Sequence, residues 1–312
     1  MNVLISGGAG FLGKHLCKQL LKEKHKVTVI DNFCTSEEAD FKQLGKKVDL
    51  RKMDVTELKF SDLEIDFDVV VHLASPASPV DYVRLPIETL LVGSLGTYRM
   101  LEAAKQNNAR FLLASSSEIY GDPEVHPQIE EYVGCVNCIG PRAMYDESKR
   151  FGETLALNYH NVHSVDIGIM RIFNVYGPGM RLDDGRAIPN FISQALRGKP
   201  LTIYGNGEQT RSFCYVDDMI EAMMSLIEYS GCVPGPFNLG NPEEISIIKL
   251  AQMIIEMTGS KSKLSFYGSP PEDPRRRCPD ISRAKRYLGW EPEVSLEDGL
   301  EETIKRFEGK LK

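Results

Sequence analysis

Short apolar, β-branched runs alternate along the first half of the chain with longer stretches whose apolar residues recur every three to four positions. Period two giving way repeatedly to period 3.6 marks strand–helix–strand units, which assemble into a parallel sheet with helices on its faces. The predicted strands are Val3–Ser6, Lys26–Asp31, Val48–Asp54, Val69–Leu73, Arg110–Ser115 and Val165–Ile172. Helices are predicted between them over Phe11–Lys22, Pro86–Asn107 and Asp146–His160. No repeat or low-complexity tract interrupts this order, so the expected fold is α/β, a Rossmann-type doubly wound parallel sheet.

Beyond about Asn174 the pattern changes to glycine and proline punctuation, in Tyr176-Gly-Pro-Gly179, Tyr204-Gly-Asn-Gly207 and Gly268-Ser-Pro-Pro271, with short helical stretches between. A smaller C-terminal substrate-binding lobe is expected there. The expected division is 1–173, with part of 212–240, as the cofactor-binding domain, and 174–211 with 241–312 as the lobe. Ligands of open α/β sheets sit beyond the carboxyl ends of the strands, so a lobe capping that edge forms a cleft.

Composition narrows the partners. The formal charge is −7, and 26% of the 312 residues are charged. Nucleic acid and anionic membranes both require a basic footprint, so neither is expected, and any anion must be met by a local cluster of cations. No apolar run approaches the length needed to span a bilayer. Met1 leads directly into the first strand with no room for a signal peptide, and the expected location is the cytoplasm. Seven cysteines scattered over a large chain suit a reducing compartment. The pair Cys135-Val-Asn-Cys138 has no second pair or histidine cluster to complete a zinc site, so no metal is expected.

The first strand runs into Gly7-Gly-Ala-Gly10-Phe-Leu-Gly13 and then a helix. Glycines at this spacing allow a tight turn and a close approach of backbone to a pyrophosphate, which the helix N-terminus faces. Asp31, at the end of the second strand, is placed to accept hydrogen bonds from an adenosine ribose. Asn32 and Phe33 follow it rather than an arginine, so a 2′-phosphate would meet negative charge, and NAD is expected over NADP. Phe11 and Leu12 in the loop, Asn32, Asp54 with Val55 after the third strand, Leu73 with Ala74 after the fourth, and Tyr145 with Lys149, which could hold the nicotinamide ribose, complete the expected cofactor contacts.

Tyr145-Asp-Glu-Ser-Lys149 sets a tyrosine and a lysine one helical turn apart. A cation at that distance is expected to lower the phenol's pKa toward a value useful in a general base. The fifth strand ends in Ala114-Ser-Ser-Ser-Glu-Ile-Tyr-Gly121, which brings hydroxyls and a carboxylate to the same sheet edge. Glycine loop, strand-five serine and Tyr145/Lys149 together resemble the extended short-chain dehydrogenase/reductases, the family of nucleotide-sugar epimerases, dehydratases and decarboxylases. The resemblance runs over essentially the whole chain. It implies that Tyr145 is the base, Lys149 its tuner, and Ser116 the hydroxyl bridging tyrosine and sugar O4. It also implies a homodimer, through a four-helix interface made by the helix after Pro86 and the helix carrying Tyr145.

Three chemistries in that family open by transferring hydride from C4 to NAD. A 4-epimerase returns it to the other face, and a 4,6-dehydratase expels the C6 hydroxyl with an Asp-Glu pair. A decarboxylase lets a 4-keto uronic acid, a β-keto acid, lose carbon dioxide. Here Ser117 stands where the dehydratase has its Asp, beside Glu118. The pattern resembles the decarboxylase branch, as do His72-Leu-Ala-Ser-Pro-Ala-Ser-Pro79, Tyr120–Pro127, Ile139-Gly-Pro-Arg142 and Asn238–Glu244. The other two reactions stay open, as does a non-catalytic NAD-binding sensor or scaffold.

Resemblance to that branch implies a UDP-sugar substrate. Pro79 and Glu118 would lie at its sugar, and Asn174 and Asn190 would hold its diphosphate or sugar. Arg211 and Arg277 would meet its phosphates and ribose, Tyr204 and Gln209 its uridine, and Arg186 would be a further contact. Gly179 replaces a frequent arginine, a loss that Arg181 is expected to offset. Glu118 is expected to orient the sugar, through a water that supplies the C5 proton. Its charge beside a substrate carboxylate is expected to create like-charge repulsion.

Overall fold

The computed structural model describes residues 1–311 apart from 42, 43, 45, 46, 60–62, 64, 65 and 232–234. The first half reads β1 (Asn2–Ser6), α1 (Phe11–Lys22), β2 (Lys26–Asp31), α2 (Glu38–Phe41), β3 (Val48–Lys52), β4 (Val69–His72), α3 (Pro79–Arg84), α4 (Pro86–Leu91), α5 (Thr97–Asn107), β5 (Arg110–Ser116), α6 (Ala143–His163) and β6 (Ile167–Ile172). The second half adds β7 (Val175–Tyr176), α7 (Ala187–Leu196), β8 (Leu201–Tyr204), β9 (Thr210–Ser212), β10 (Cys214–Tyr215), α8 (Val216–Glu228), β11 (Pro236–Leu239), β12 (Glu244–Ser246), α9 (Ile247–Met257), β13 (Leu264–Tyr267), α10 (Ser282–Leu288) and α11 (Leu296–Leu311).

Seven strands form one parallel sheet in the order β11-β6-β5-β4-β1-β2-β3. The chain builds outward from β1 to β3, returns to β4, and builds outward the other way. The strand order therefore reverses between β1 and β4, where a crevice opens at the carboxyl ends. Ser6 and His72 end these two strands in register, and their side chains meet, Oγ to Nδ1, at 2.6 Å. Continuous Val/Leu/Ile runs in the central strands suit a sheet covered on both faces. Two buried apolar clusters, one on each side, supply that cover.

Several predicted boundaries move. The third strand stops at Lys52, because Asp54 caps a short turn over Val55–Glu57 by accepting from Thr56 N at 2.9 Å. Strand six starts at Ile167 rather than Val165. The Tyr145 helix runs longer at both ends than Asp146–His160. The helix predicted over Pro86–Asn107 carries a π turn at Val92–Gly96. There Gly93 lies so close to α6 that a Cβ on it would stand 2.5 Å from Ser148 Cβ, so the turn lets the two helices meet. Beyond β6, three two-stranded sheets, β10-β7, β12-β9 and β13-β8, frame the open end of the crevice.

Candidate active site

One cavity of about 850 Å³ follows the carboxyl ends of the strands. At one end lies the glycine loop. Gly7 has φ of 75°, and a Cβ there would sit 2.6 Å from the Ala74 backbone. A Cβ on Gly13 would sit 2.4 Å from Gly7 O, so loop, helix and neighbouring strand close on one another only without side chains. Asp31 accepts from Ala9 N at 2.9 Å and Phe33 N at 2.8 Å. Burial raises its pKa, against the lowering pull of those two amides. Asn32 donates to Asp54 at 2.7 Å, and Phe11, Leu12, Val55, Leu73 and Ala74 line the adjoining wall. A backbone cradle with a half-buried acceptor beside it fits an adenine dinucleotide.

At the middle of the cavity β5 delivers Ser116, whose Oγ accepts from Glu118 N at 3.2 Å and caps the turn Ser117–Tyr120. Its hydroxyl proton remains for another acceptor, and the Ser116 hydroxyl pulls the Tyr145 phenol down. Tyr145 is buried, stacked on Tyr82 with ring centroids 5.1 Å apart. Lys149 Nζ lies 5.6 Å from the Tyr145 ring and donates to Ala114 O at 2.9 Å. The lysine does not bring the phenol down as expected: burial pushes Tyr145 up to about 12, only partly opposed by Ser116. Burial likewise brings Lys149 down to about 8.

Glu118 overturns a second expectation. Arg142, at the N-terminus of α6, donates to its Oε2 at 2.5 Å, and Arg277 reaches the same oxygen at 3.3 Å. Burial alone would raise this carboxyl, but Arg277, Arg142 and Arg211 outweigh it and hold Glu118 below the usual carboxylate range. Its charge is thereby met by two guanidiniums, so it presents no unopposed negative charge to an anionic sugar. Arg277 itself is only 1% exposed and bonds Ser117 O. Unlike the other predicted site residues it stands behind the cavity wall, acting on the cavity through Ser117 and Glu118.

The far end gathers the remaining predicted residues. Arg186 makes a two-pronged pair with Asp184, at 2.5 and 2.8 Å. Arg211 pairs with Asp273 at 2.8 Å. Asn174 donates to Ser212 O, Asn190 to Gly185 O and Gln209 to Tyr204 O, while Tyr204 is half exposed at the rim. Pro79 opens α3 against the cavity. Arg181 is not the free cation expected opposite Gly179: it is held by Asp81 at 3.0 Å and donates to Thr35 O at 2.7 Å.

A family model described as the NAD dependent epimerase/dehydratase family matches residues 3–240. The chain belongs to that family. NAD is the family's cofactor. Among curated relatives, the chain is 49% identical over 311 residues to UDP-glucuronic acid decarboxylase 1 of Xenopus tropicalis, covering 99% of this chain and 72% of that one. It is 48% identical over 303 residues to UDP-glucuronic acid decarboxylase 6 of Arabidopsis thaliana, covering 96% and 87%. Among solved structures, UDP-glucose 4-epimerase of Thermotoga maritima superposes over 100% of both chains, with TM-score 0.91 and 28% identity. UDP-glucuronic acid 4-epimerase of Bacillus cereus, in complex with UDP-glucuronic acid and NAD, superposes with TM-score 0.88 and 32% identity over 99% of this chain and 100% of that one.

Tyr82 and Arg142 also line the cavity, and sequence alone assigns neither a role. Arg142 stands at the end of the quoted Ile139–Arg142 stretch, three residues before Tyr145, and this proximity was the one available signal. Nothing in local sequence foretells that Arg142 and Arg277, 135 residues apart by subtraction, share one carboxylate oxygen. Cys135 and Cys138 are exposed free thiols, and neither lines the cavity. Among the described residues no helix is long and apolar enough to cross a membrane.

Proposed function

We propose that the protein converts UDP-glucuronate to UDP-xylose and carbon dioxide. The observation that carries this reading is Glu118 held between Arg142 and Arg277 beside Ser116 and Tyr145. Two guanidiniums against one carboxylate leave an excess of positive charge at the sugar end. Asp146 next to them offsets only part of that excess at neutral pH, since burial and Glu118 push it up to about 7. An anionic uronate is favoured there over a neutral hexose. The decarboxylases among the relatives support the same substrate and outcome.

NAD, when bound, supplies the acceptor and donor of the C4 hydride. Tyr145 takes the O4 proton, and Ser116, free to donate, carries the hydrogen bond between phenol and sugar. Lys149, with its Nζ 5.6 Å from the Tyr145 ring, holds the nicotinamide ribose. The 4-keto uronic acid then loses its carboxylate, with the electron pair of the broken C5–C6 bond moving into the enolate. Glu118 stays ionised at neutral pH, so it does not carry the C5 proton itself but orients a water that delivers it. Tyr145 returns its proton as C4 is reduced again, and the enzyme ends the cycle as it began. Asn174, Asn190, Arg186 and Arg211 hold the diphosphate and sugar, and Tyr204 and Gln209 hold the uridine. In this reading 1–173 with part of 212–240 carries the cofactor, while 174–211 and 241–312 carry the nucleotide-sugar.

A second reading is 4-epimerisation of the same uronate, favoured by the likeness to the Bacillus cereus epimerase. Following carbon dioxide and the NMR spectrum of the product from UDP-glucuronate separates the two. UDP-xylose with carbon dioxide is expected, and UDP-galacturonate without gas would select the epimerase.

The cavity is expected to work within a homodimer in the cytoplasm. Ile87 and Leu91 on α4, and Phe151 and Val162 on α6, expose 47–71% of their surface on the two helices expected to pair. An apolar face of this kind is normally covered by a partner surface. Light scattering should give twice the 35.0 kDa chain mass, and Ile87→Asp should lower it toward the monomer.

A further inference from the structure

Asp81 sits in the first turn of α3, 5% exposed, and joins parts of the cavity wall that are remote in sequence. Its carboxylate accepts from Ser78 Oγ at 2.7 Å, from Arg84 at 3.2 Å and from Arg181 at 3.0 Å. Both arginines reach onward to the same segment after β2. Arg84 donates to Cys34 O at 3.2 Å, and Arg181 donates to Thr35 O at 2.7 Å. One buried carboxylate thus orients two guanidiniums that each grip a backbone carbonyl. It ties the segment beyond Asp31 to α3 and to the loop between β7 and α7.

The tie crosses from the cofactor end of the cavity to the sugar end, and Cys34, Thr35, Ser78, Asp81 and Arg181 all line that cavity. None of these contacts belongs to the hydrogen-bond ladder of the main sheet, so the sheet does not need them. A cofactor restored in every turnover has no reason to leave, and slow release keeps the enzyme loaded. We propose that Asp81 is a positioning residue for cofactor retention: through Arg84 and Arg181 it holds the 34–35 segment closed over the adenosine half of NAD. The inference rests on the NAD cycle proposed above but not on the identity of the sugar.

Exchange of isotopically labelled NAD from the purified holoenzyme tests it. Charge-assisted hydrogen bonds shared by two arginines are lost in Asp81→Asn, which should release NAD about tenfold faster. Asp81→Glu keeps the charge and should restore part of the retention. Arg84→Ala, whose side chain is 57% exposed, should speed release by up to about fivefold with the fold intact, so it decides the matter if Asp81→Asn does not fold. At saturating NAD and UDP-glucuronate the kcat of Arg84→Ala should stay within about twofold of the parent, since no reacting group is touched. Unchanged exchange in Arg84→Ala and in folded Asp81→Asn would overturn the proposal, as would a fall in kcat with exchange unaltered. Exchange that depends on Asp81 in a protein making no UDP-xylose would leave the clasp standing and remove the decarboxylase reading.

Discussion

The two ends of the cavity are built by different physics. At the cofactor end, the recognition surface is backbone, made possible by what is missing at Gly7 and Gly13, where any Cβ would collide with main-chain atoms. Near Ser116 the surface is charged side chain, Glu118 and Arg142 at the cavity with Arg277 and Asp146 buried behind them, all brought together by tertiary folding. A backbone cradle tolerates no added atoms but serves any dinucleotide enzyme. A side-chain cluster tolerates small changes of volume but fixes which sugar the enzyme accepts.

The largest expected effect falls where the two ends meet. Tyr145→Phe should cut turnover by about 10²- to 10⁴-fold, the usual range for losing a general base, while NAD remains bound. Loss of both would show that the cradle depends on the catalytic helix and would blur the contrast. Next comes His72, buried between Ser6 and Val92 O at the end of β4. Burial and then the charge of Lys149 bring it down to about 3. The folded protein holds it neutral where the unfolded chain, titrating near 6.5, binds a proton. Stability from this group is therefore complete above about pH 6.5 and is lost progressively as pH falls toward 3, on the order of 5 kcal/mol in all and about 3 kcal/mol of it by pH 4. Urea titrations at pH 7 and pH 4 should show that loss, and His72→Gln should flatten it.

Smaller effects sharpen the comparison from each side. Glu118→Gln removes the anion between two arginines, and should cost about 2 kcal/mol of stability, below the 3–5 of a fully buried pair because Glu118 is 19% exposed. It should reduce carbon dioxide release while leaving NAD affinity unchanged. Gly13→Ala should do the reverse, weakening NAD binding and costing about 1–3 kcal/mol by overpacking, readable by calorimetry and NAD titration. Arg275→Ala, on a side chain 88% exposed and paired with Asp122, should change the unfolding free energy by less than about 1 kcal/mol.

The same contrast explains what was legible beforehand. A backbone site is local: Gly7-x-x-Gly10-x-x-Gly13 lies in one stretch between a strand and a helix, and Asp31 ends the next strand. Tyr145 and Lys149 are legible for the same reason, sharing one helix turn. Charge pairing is not local. The sequence offers Arg277 as a phosphate or ribose contact and Arg181 as an offset for Gly179, because nothing near them in sequence shows Asp81 or Glu118 waiting across the fold. The pKa of Tyr145 was misjudged for a related reason: spacing reveals the neighbouring cation but not the burial that outweighs it. The π turn at Val92–Gly96 was hidden because its apolar pattern continues the helix on either side.

The most direct measurement is the product of the purified protein with UDP-glucuronate and catalytic NAD, followed by NMR and by trapped carbon dioxide. UDP-xylose and carbon dioxide should appear in equal amounts, with NAD unconsumed. Carbon dioxide absent while UDP-galacturonate forms, or turnover of UDP-glucose with none of UDP-glucuronate, would contradict it.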